Sequence, residues 1–331
     1  MEYLKFGNTG MDVSKICLGT MGFGDKDKWL HKWVLDEANS RPIIKKALDL
    51  GINFFDTANI YSYGESEKIV GRALKDYANR DDIVLATKVH SSMRPERPNG
   101  GGLSRKAILS EIDHSLQRLE TDYVDVYIIH RFDENTPIEE TMYALHDVVK
   151  SGKARYIGAS AMYAWQFQKA QRVAEKNGWT KFVSMQNHYN LIYREEEREM
   201  IPFCRDEKIA ITPYSPLASG RLTRDFAETT YRSETDAIQK SKYDGTQDSD
   251  KGIIERVAEL AEKHQVTRDK IALAWMLTKQ GITSPIIGAQ KERHLESAVA
   301  ALDIKLSEKE VSYLEELYIP HPVVGALPTK K

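Results

Sequence analysis

Eight short runs rich in β-branched and other apolar residues recur along this chain, at residues 15–18, 53–57, 83–88, 124–130, 156–159, 182–186, 210–214 and 285–288, with helical patterns between them. Strand alternating with helix is the signature of a parallel sheet with helical crossovers. Eight such units predict an α/β fold of the (β/α)8, or TIM-barrel, type. A barrel with insertions accounts for the whole length, so residues 1–331 are expected to form a single domain.

The helical stretches carry their own signals. Ser104 precedes a stretch in which Ile108, Ile112, Leu116 and Leu119 share one face. Thr136-Pro137-Ile138-Glu139 predicts a helix start, with Thr136 as cap, Pro137 at the first helical position and Glu139 completing a capping box. Ile138, Met142, Leu145 and Val149 then form a stripe that ends at Ser151-Gly152. Before the first barrel strand, residues 3–6 and 11–14 flank Gly7-Asn8-Thr9-Gly10 and predict a β-hairpin capping the bottom of the barrel. Long loops are expected at 21–40, 89–103 and 222–251, all at the C-terminal face; the third is polar and expected to be mobile.

Composition narrows the partners. With 47 basic and 49 acidic residues and no long charge blocks, no footprint for nucleic acid or an anionic membrane is present. Cys17 and Cys204 make neither a disulfide framework nor a metal-ligand spacing, which fits a reducing cytoplasm. The N-terminus lacks the apolar core of a signal peptide, and no run approaches the ~18 apolar residues of a membrane span.

Four groups suited to proton transfer fall at or just past the ends of three successive predicted strands: Asp56, Tyr61, Lys88 and His130. Such ends converge on one mouth in a barrel. A tyrosine is a poor acid near neutrality, its ordinary pKa being ~10. An adjacent ammonium favours the phenolate, and a carboxylate fixes the ammonium, so Tyr61, Lys88 and Asp56 form a coherent proton-delivery unit. His130 would polarise a carbonyl oxygen. Taken singly, each has a plain structural reading: a cap, a loop aromatic, an ion pair, a core histidine. No His/Cys cluster has metal-ligand spacing. If the reaction is a reduction, hydride must come from a cofactor. No Gly-x-Gly-x-x-Gly follows a predicted strand, so phosphates would bind at the loops after the last two strands, near residues 215–221 and 288–291. Trp29 and Trp33 either wall a substrate or anchor their loop.

The segments Leu18-Gly19-Thr20-Met21-Gly22, Phe55-Asp56-Thr57-Ala58 through Tyr61, Thr87-Lys88-Val89, Ile129-His130, Ile157-Gly158-Ala159-Ser160, Gln186-Asn187, Tyr214-Ser215-Pro216-Leu217 and Ile287-Gly288-Ala289 resemble the aldo-keto reductases over nearly the whole chain. His130-Arg131-Phe132-Asp133 and residues 185–190 are similar to the aryl-alcohol-dehydrogenase-like, or oxidoreductase-like, branch of bacteria and fungi. The resemblance implies a catalytic tetrad of Asp56, Tyr61, Lys88 and His130, with tyrosine as general acid. It implies that Tyr214 stacks on a nicotinamide, that Ser160 and Gln186 hold its carboxamide, and that Gly19, Thr20 and Met21 line its ribose side. Leu217, Ser219, Gly220 and Arg221 would wrap the pyrophosphate. Gln290, Lys291 and His294, with Gly288 and Ala289, would take an adenosine 2'-phosphate; Asp56 and Ser215 complete the cofactor set.

The chain departs from that family pattern at Ala161, where many members have Asn, and at His294, Ser297 and Ala298, where many have Arg and then Glu-Asn. Histidine is a weaker, pH-dependent anion partner. The implied cofactor is NADPH, with NADH as the alternative, and the substrate a small carbonyl or alcohol. Two other readings remain open from the sequence: a nicotinamide-binding redox sensor acting through a protein partner, and a barrel lyase or isomerase that uses the same acid-base groups without nicotinamide.

Overall fold

The computed structural model describes residues 1–325. The strands are β1 (Tyr3–Lys5), β2 (Asp12–Ser14), β3 (Cys17–Gly19), β4 (Phe54–Asp56), β5 (Val84–Val89), β6 (Val124–Ile129), β7 (Ala154–Ser160), β8 (Phe182–Gln186), β9 (Ala210–Ile211) and β10 (Ile286–Gly288). The last eight form one parallel sheet in the order β10-β3-β4-β5-β6-β7-β8-β9, and helices run between successive strands. Its two edges meet. Ile211 bridges Ile282, Thr283 N donates to Ile211 O at 2.9 Å and Ile286 N donates to Pro213 O at 2.8 Å. The sheet thus curls round as a (β/α)8 barrel.

Alternation along each strand sorts the side chains into two layers. Val84 and Ala86 of β5 and Val126 and Ile128 of β6 join Cys17, Phe54, Ala210 and Ile286 in a cluster on the barrel axis. Leu85, Val89, Tyr127 and Ile129 face outward, onto helical residues such as Ile108, Ile112, Met142 and Leu145. β1 and β2 pair antiparallel, as the hairpin expected from the sequence. The hairpin turn sends Phe6 into the axial cluster, edge-on to Phe54 with ring centroids 5.6 Å apart.

Ser104 caps the helix Arg105–Leu119 by accepting from Ala107 N at 3.2 Å. The helix Ile138–Lys150 buries Ile138, Met142 and Leu145 of its expected stripe, with Val148 buried and Val149 half-buried at its end, and stops at Ser151, followed by Gly152 at φ +79. Its start differs from expectation. The Thr136 hydroxyl donates to Asp133 Oδ2 at 2.8 Å and makes no cap, and Pro137 occupies the cap position itself. With the helix beginning one residue later than expected, Thr136 lies outside the cap position and its hydroxyl turns to the Asp133 carboxylate. The stretch 222–251 also departs from a polar coil: it contains the helices Tyr231–Thr235 and Ala237–Tyr243 and the start of Gln247–His264.

Candidate active site

Asp56 ends β4, Lys88 lies one residue from the end of β5, and His130 follows β6, so adjacent strands deliver three of the four groups to the same rim. Tyr61 arrives from the chain after β4. It opens the turn Tyr61–Gly64, in which Ser62 (φ 48) and Tyr63 (φ 50) adopt left-handed backbone. Each such non-glycine residue costs roughly 1–3 kcal/mol, a strain that concentrates at functional sites.

Lys88 is fully buried. Its Nζ donates to Asp56 Oδ2 at 2.5 Å, to Thr57 O at 2.8 Å and to Tyr61 OH at 3.3 Å. The other oxygen of Asp56 accepts from Gln186 Nε2 at 2.9 Å. The Tyr61 and His130 rings meet edge to face, 5.8 Å apart. The structure therefore gathers all four sequence-nominated groups, with Gln186 attached.

Charge states follow from burial and neighbours. Burial works against the Lys88 ammonium, but Asp56 and Tyr61 outweigh it and raise its pKa. Burial, then Lys88 and Arg131, drives His130 well below the usual imidazole range, so the ring is neutral near pH 7. For Tyr61 the expected lowering by Lys88 is present but overcome. Burial and the Asp56 carboxylate raise the phenol above its ordinary value. The ring stays protonated near neutrality, and the ammonium stands ready for the phenolate once a proton leaves.

The remaining nominated residues lie around this rim in several states. The Ser160 hydroxyl donates to Gln186 O at 2.9 Å. Thr20 is turned inward: its hydroxyl donates to Asp56 O at 3.0 Å and lies 3.0 Å from Ser66 Oγ. Gly19 pairs with Asp56 on one side and Gly288 on the other, and Met21 packs beside Tyr61. Tyr214 stacks on His188, with centroids 5.2 Å apart and planes at 8°, while Lys242 Nζ sits 4.7 Å from the Tyr214 ring centre. Burial pushes the Tyr214 hydroxyl up to about 12, with Arg131 opposing.

Ser215, Ala218 and Ser219, at φ 56, 48 and 55, are left-handed non-glycine residues, and Leu217 and Gly220 complete a tight turn leading to Arg221. Arg221 pairs with Asp244. Gln290 Nε2 donates to the Trp33 carbonyl at 2.7 Å, and Gln290 N donates to His294 Nδ1 at 3.3 Å. Burial, then Arg293 and Lys291, lowers the His294 pKa, so that ring is neutral near pH 7. Ala289 is buried, and Lys291 is exposed at the start of the helix Glu292–Ala300. Trp29 packs on Tyr61 at 6.0 Å, and Trp33 carries the Arg232 guanidinium 3.9 Å above its ring.

Several contributors to the site carry no signal in the sequence. Behind Lys88, Thr87 donates to the fully buried Glu67 at 2.5 Å, and Arg118 Nε donates to the same carboxylate at 2.6 Å. Their outward phase gave no sign of the site. Lys242 comes from the 222–251 cover, where no period announced it. Burial, then Arg131, lowers its pKa to about 8. Buried polar atoms without a hydrogen-bond partner among the described residues gather here: His130 Nδ1, Arg131 Nη1, Asn187 Oδ1, His188 Nδ1, Tyr214 OH and Arg221 Nε. Unpaired buried polar atoms are costly, and such a set fits a polar, aromatic ligand that completes them. Among the described residues, no group of His, Cys, Asp or Glu is arranged to hold a metal ion, and no helix is long and apolar enough to cross a membrane.

The chain matches the aldo/keto reductase family over residues 15–319. It is 46% identical to the versiconal hemiacetal acetate reductase of Aspergillus parasiticus, with 98% of each chain covered. It is 45% identical to the aldo-keto reductase dtxS3 of Metarhizium robertsii, over 98% of this chain and 93% of that one. An aryl-alcohol-dehydrogenase-like protein of Schizosaccharomyces pombe is 46% identical over 97% of both. The barrel, its rim of acid-base groups and these similarities agree: the chain belongs to the aldo/keto reductase family, oxidoreductases that act on carbonyl and alcohol groups.

Proposed function

We propose that the chain is an NADPH-dependent reductase that converts aldehydes or ketones to alcohols, reversibly, with Tyr61 as the general acid. The observation that carries this reading is the chain of contacts from Asp56 through the buried Lys88 to the Tyr61 hydroxyl, opening beside the unpaired polar atoms of the rim. When bound, the reduced nicotinamide supplies the hydride. This chain's residues do the rest. Tyr61 gives its proton to the developing alkoxide, and Lys88, held by Asp56, stabilises the phenolate left behind. The neutral His130 donates a hydrogen bond to the carbonyl oxygen, where negative charge builds.

Tyr214 would stack on the nicotinamide, and Ser160 and Gln186 would hold its carboxamide. Gly19, Thr20 and Met21 flank the ribose. The turn from Ser215 through Leu217, Ser219 and Gly220 to Arg221 receives the pyrophosphate. Gly288, Ala289, Gln290, Lys291 and His294 take the adenosine end, where NADH is the competing occupant. The whole chain works as one barrel unit in a reducing cytoplasm, a setting consistent with Cys17 and Cys204, which are free and buried.

The test is the initial rate of absorbance loss at the reduced-nicotinamide band, with NADPH and then NADH, over aromatic, aliphatic and sugar carbonyls. Tyr61→Phe is expected to lower kcat by about 10²–10⁴ while leaving NADPH binding intact. NADPH binding without turnover of any carbonyl would overturn the reading in favour of a regulatory subunit.

A further inference from the structure

The mouth of the barrel has two unlike walls. On one side Trp29 packs on Tyr61 in a small apolar cluster with Val34 and Ala58. On the other, the segments after β5 and β6 border an open cleft of about 580 Å³ whose lining includes the polar residues His90, Ser91, Ser92, Asn99, Asp133 and Asn135.

His90 joins this cleft to the reactive rim. It continues the inward alternation of Val84, Ala86 and Lys88, and it stands opposite His130, one step beyond the Val89–Ile129 pair. Burial lowers its pKa below the ordinary imidazole value. Its Nδ1 is buried and has no hydrogen-bond partner among the described residues.

The cleft is a built feature. Asp133 accepts from Leu103 N at 2.8 Å, Thr136 Oγ1 at 2.8 Å and Asn135 N at 2.9 Å. Burial opposes ionisation of this carboxyl, but those hydrogen bonds outweigh it and hold its pKa below the usual value. Gly102 N donates to His90 O at 2.7 Å and Met93 N donates to Gly100 O at 2.8 Å, closing the loop on itself. Glycines permit the closure: a Cβ on Gly101 would come within 2.5 Å of Ser92 Cα, and Gly102 has φ +87. Asp133 is thus occupied with the scaffold. The side chains of Ser91, Ser92 and Asn99, by contrast, form no hydrogen bond with other described residues.

We propose that this cleft is a subsite for a hydroxyl-bearing portion of the substrate, so that the protein selects carbonyl compounds with an aromatic or apolar end and a glycosyl or polyol end. The carbonyl end would lie against Trp29 and Tyr61, and the hydroxylated end among Ser91, Ser92, Asn99 and His90. This rests on the carbonyl-reductase reading. The match is chemical. Hydroxyl and amide groups both donate and accept, as the hydroxyls of a sugar do. An apolar group there would strip water from these polar groups without replacing its hydrogen bonds, and an anion would meet the Asp133 carboxylate.

The experiment compares para-methoxybenzaldehyde with the aldehyde carrying glucose on the same para oxygen, using NADPH and the full chain. The native protein is expected to show a KM for the glucoside about tenfold lower, the gain of one or two net hydrogen bonds. Ser91→Ala combined with Ser92→Ala should close that gap, and so should His90→Phe, which keeps a ring of similar bulk without its nitrogens. Equal KM values in the native protein, or a gap that survives both sets of substitutions, would overturn the subsite and leave carbonyl reduction standing. Turnover of neither aldehyde would overturn the reductase reading itself, and the subsite with it.

Discussion

His294 stands where a full positive charge was the family expectation, and burial together with Arg293 and Lys291 keeps it neutral. Any charge offered to an adenosine 2'-phosphate must then come from Lys291 and Arg293, both exposed. Exposed charges are screened by salt, with a Debye length of about 10 Å at 0.1 M. In the proposed reading, preference for NADPH over NADH should shrink as ionic strength rises. Lys291→Ala with Arg293→Ala should raise the KM for NADPH about tenfold or more and leave that for NADH nearly unchanged; steady-state kinetics in both cofactors checks this. The identities of Asp56, Tyr61, Lys88 and His130 as neighbours were legible because strand ends in a barrel have a fixed destination. The direction of the Tyr61 pKa was not. Desolvation is set by everything that surrounds the ring, and no local spacing reports it.

The segment after the last helix illustrates the same division among elements. His321 Nδ1 lies 2.5 Å from Ile319 O and Nε2 lies 2.8 Å from Asp250 Oδ1. Both partners are acceptors, so both ring nitrogens carry protons when both contacts are made. Burial opposes the imidazolium, but Asp250 and the Ile319 carbonyl outweigh it and raise the pKa. Glu195, itself paired with Arg198, accepts from His321 N at 2.8 Å, and Tyr318 stacks on the ring. A raised pKa makes this tie strongest below the ordinary histidine value of ~6.5 and weakens it as pH climbs through the folded-state value. Amide exchange in residues 319–324 should therefore quicken on going from pH 6 to pH 8 by more than the intrinsic rate rises, and His321→Gln should remove that excess. Nothing in the sequence announced this tie, because Asp250 and His321 meet only in three dimensions. The start of the helix at Ile138 differs from its local pattern for a related reason: Thr136 turns its hydroxyl to Asp133, and Pro137 takes the cap position.

Across the whole molecule, the strand count and the order of crossovers followed from the recurrence of short apolar runs between helical patterns, and the hairpin from the turn residues Gly7-Asn8-Thr9-Gly10. Closure did not. β9 is two residues long, and the seam depends on irregular bonds from Thr283 and Ile286. The hairpin plugs the opposite end with Phe6, which is 1% exposed. Phe6→Ala should cost about 3–5 kcal/mol in urea unfolding through the cavity left against Phe54, with kcat unaltered because the rim lies at the other end of the strands. In the proposed reading, in which aldehydes are substrates, the depth of Lys88 has a further meaning. Free amines condense with aldehydes to form imines, and lysines on the surface are open to that damage. Lys88 is the only lysine with no exposed surface among the described residues, and Asp56 keeps it protonated, a form without the lone pair that imine formation needs. Exposure to formaldehyde and a mild reductant should methylate surface lysines and leave Lys88 unmodified by mass spectrometry. In that reading, the amine nearest the reactive carbonyl is the one chemically barred from reacting with it.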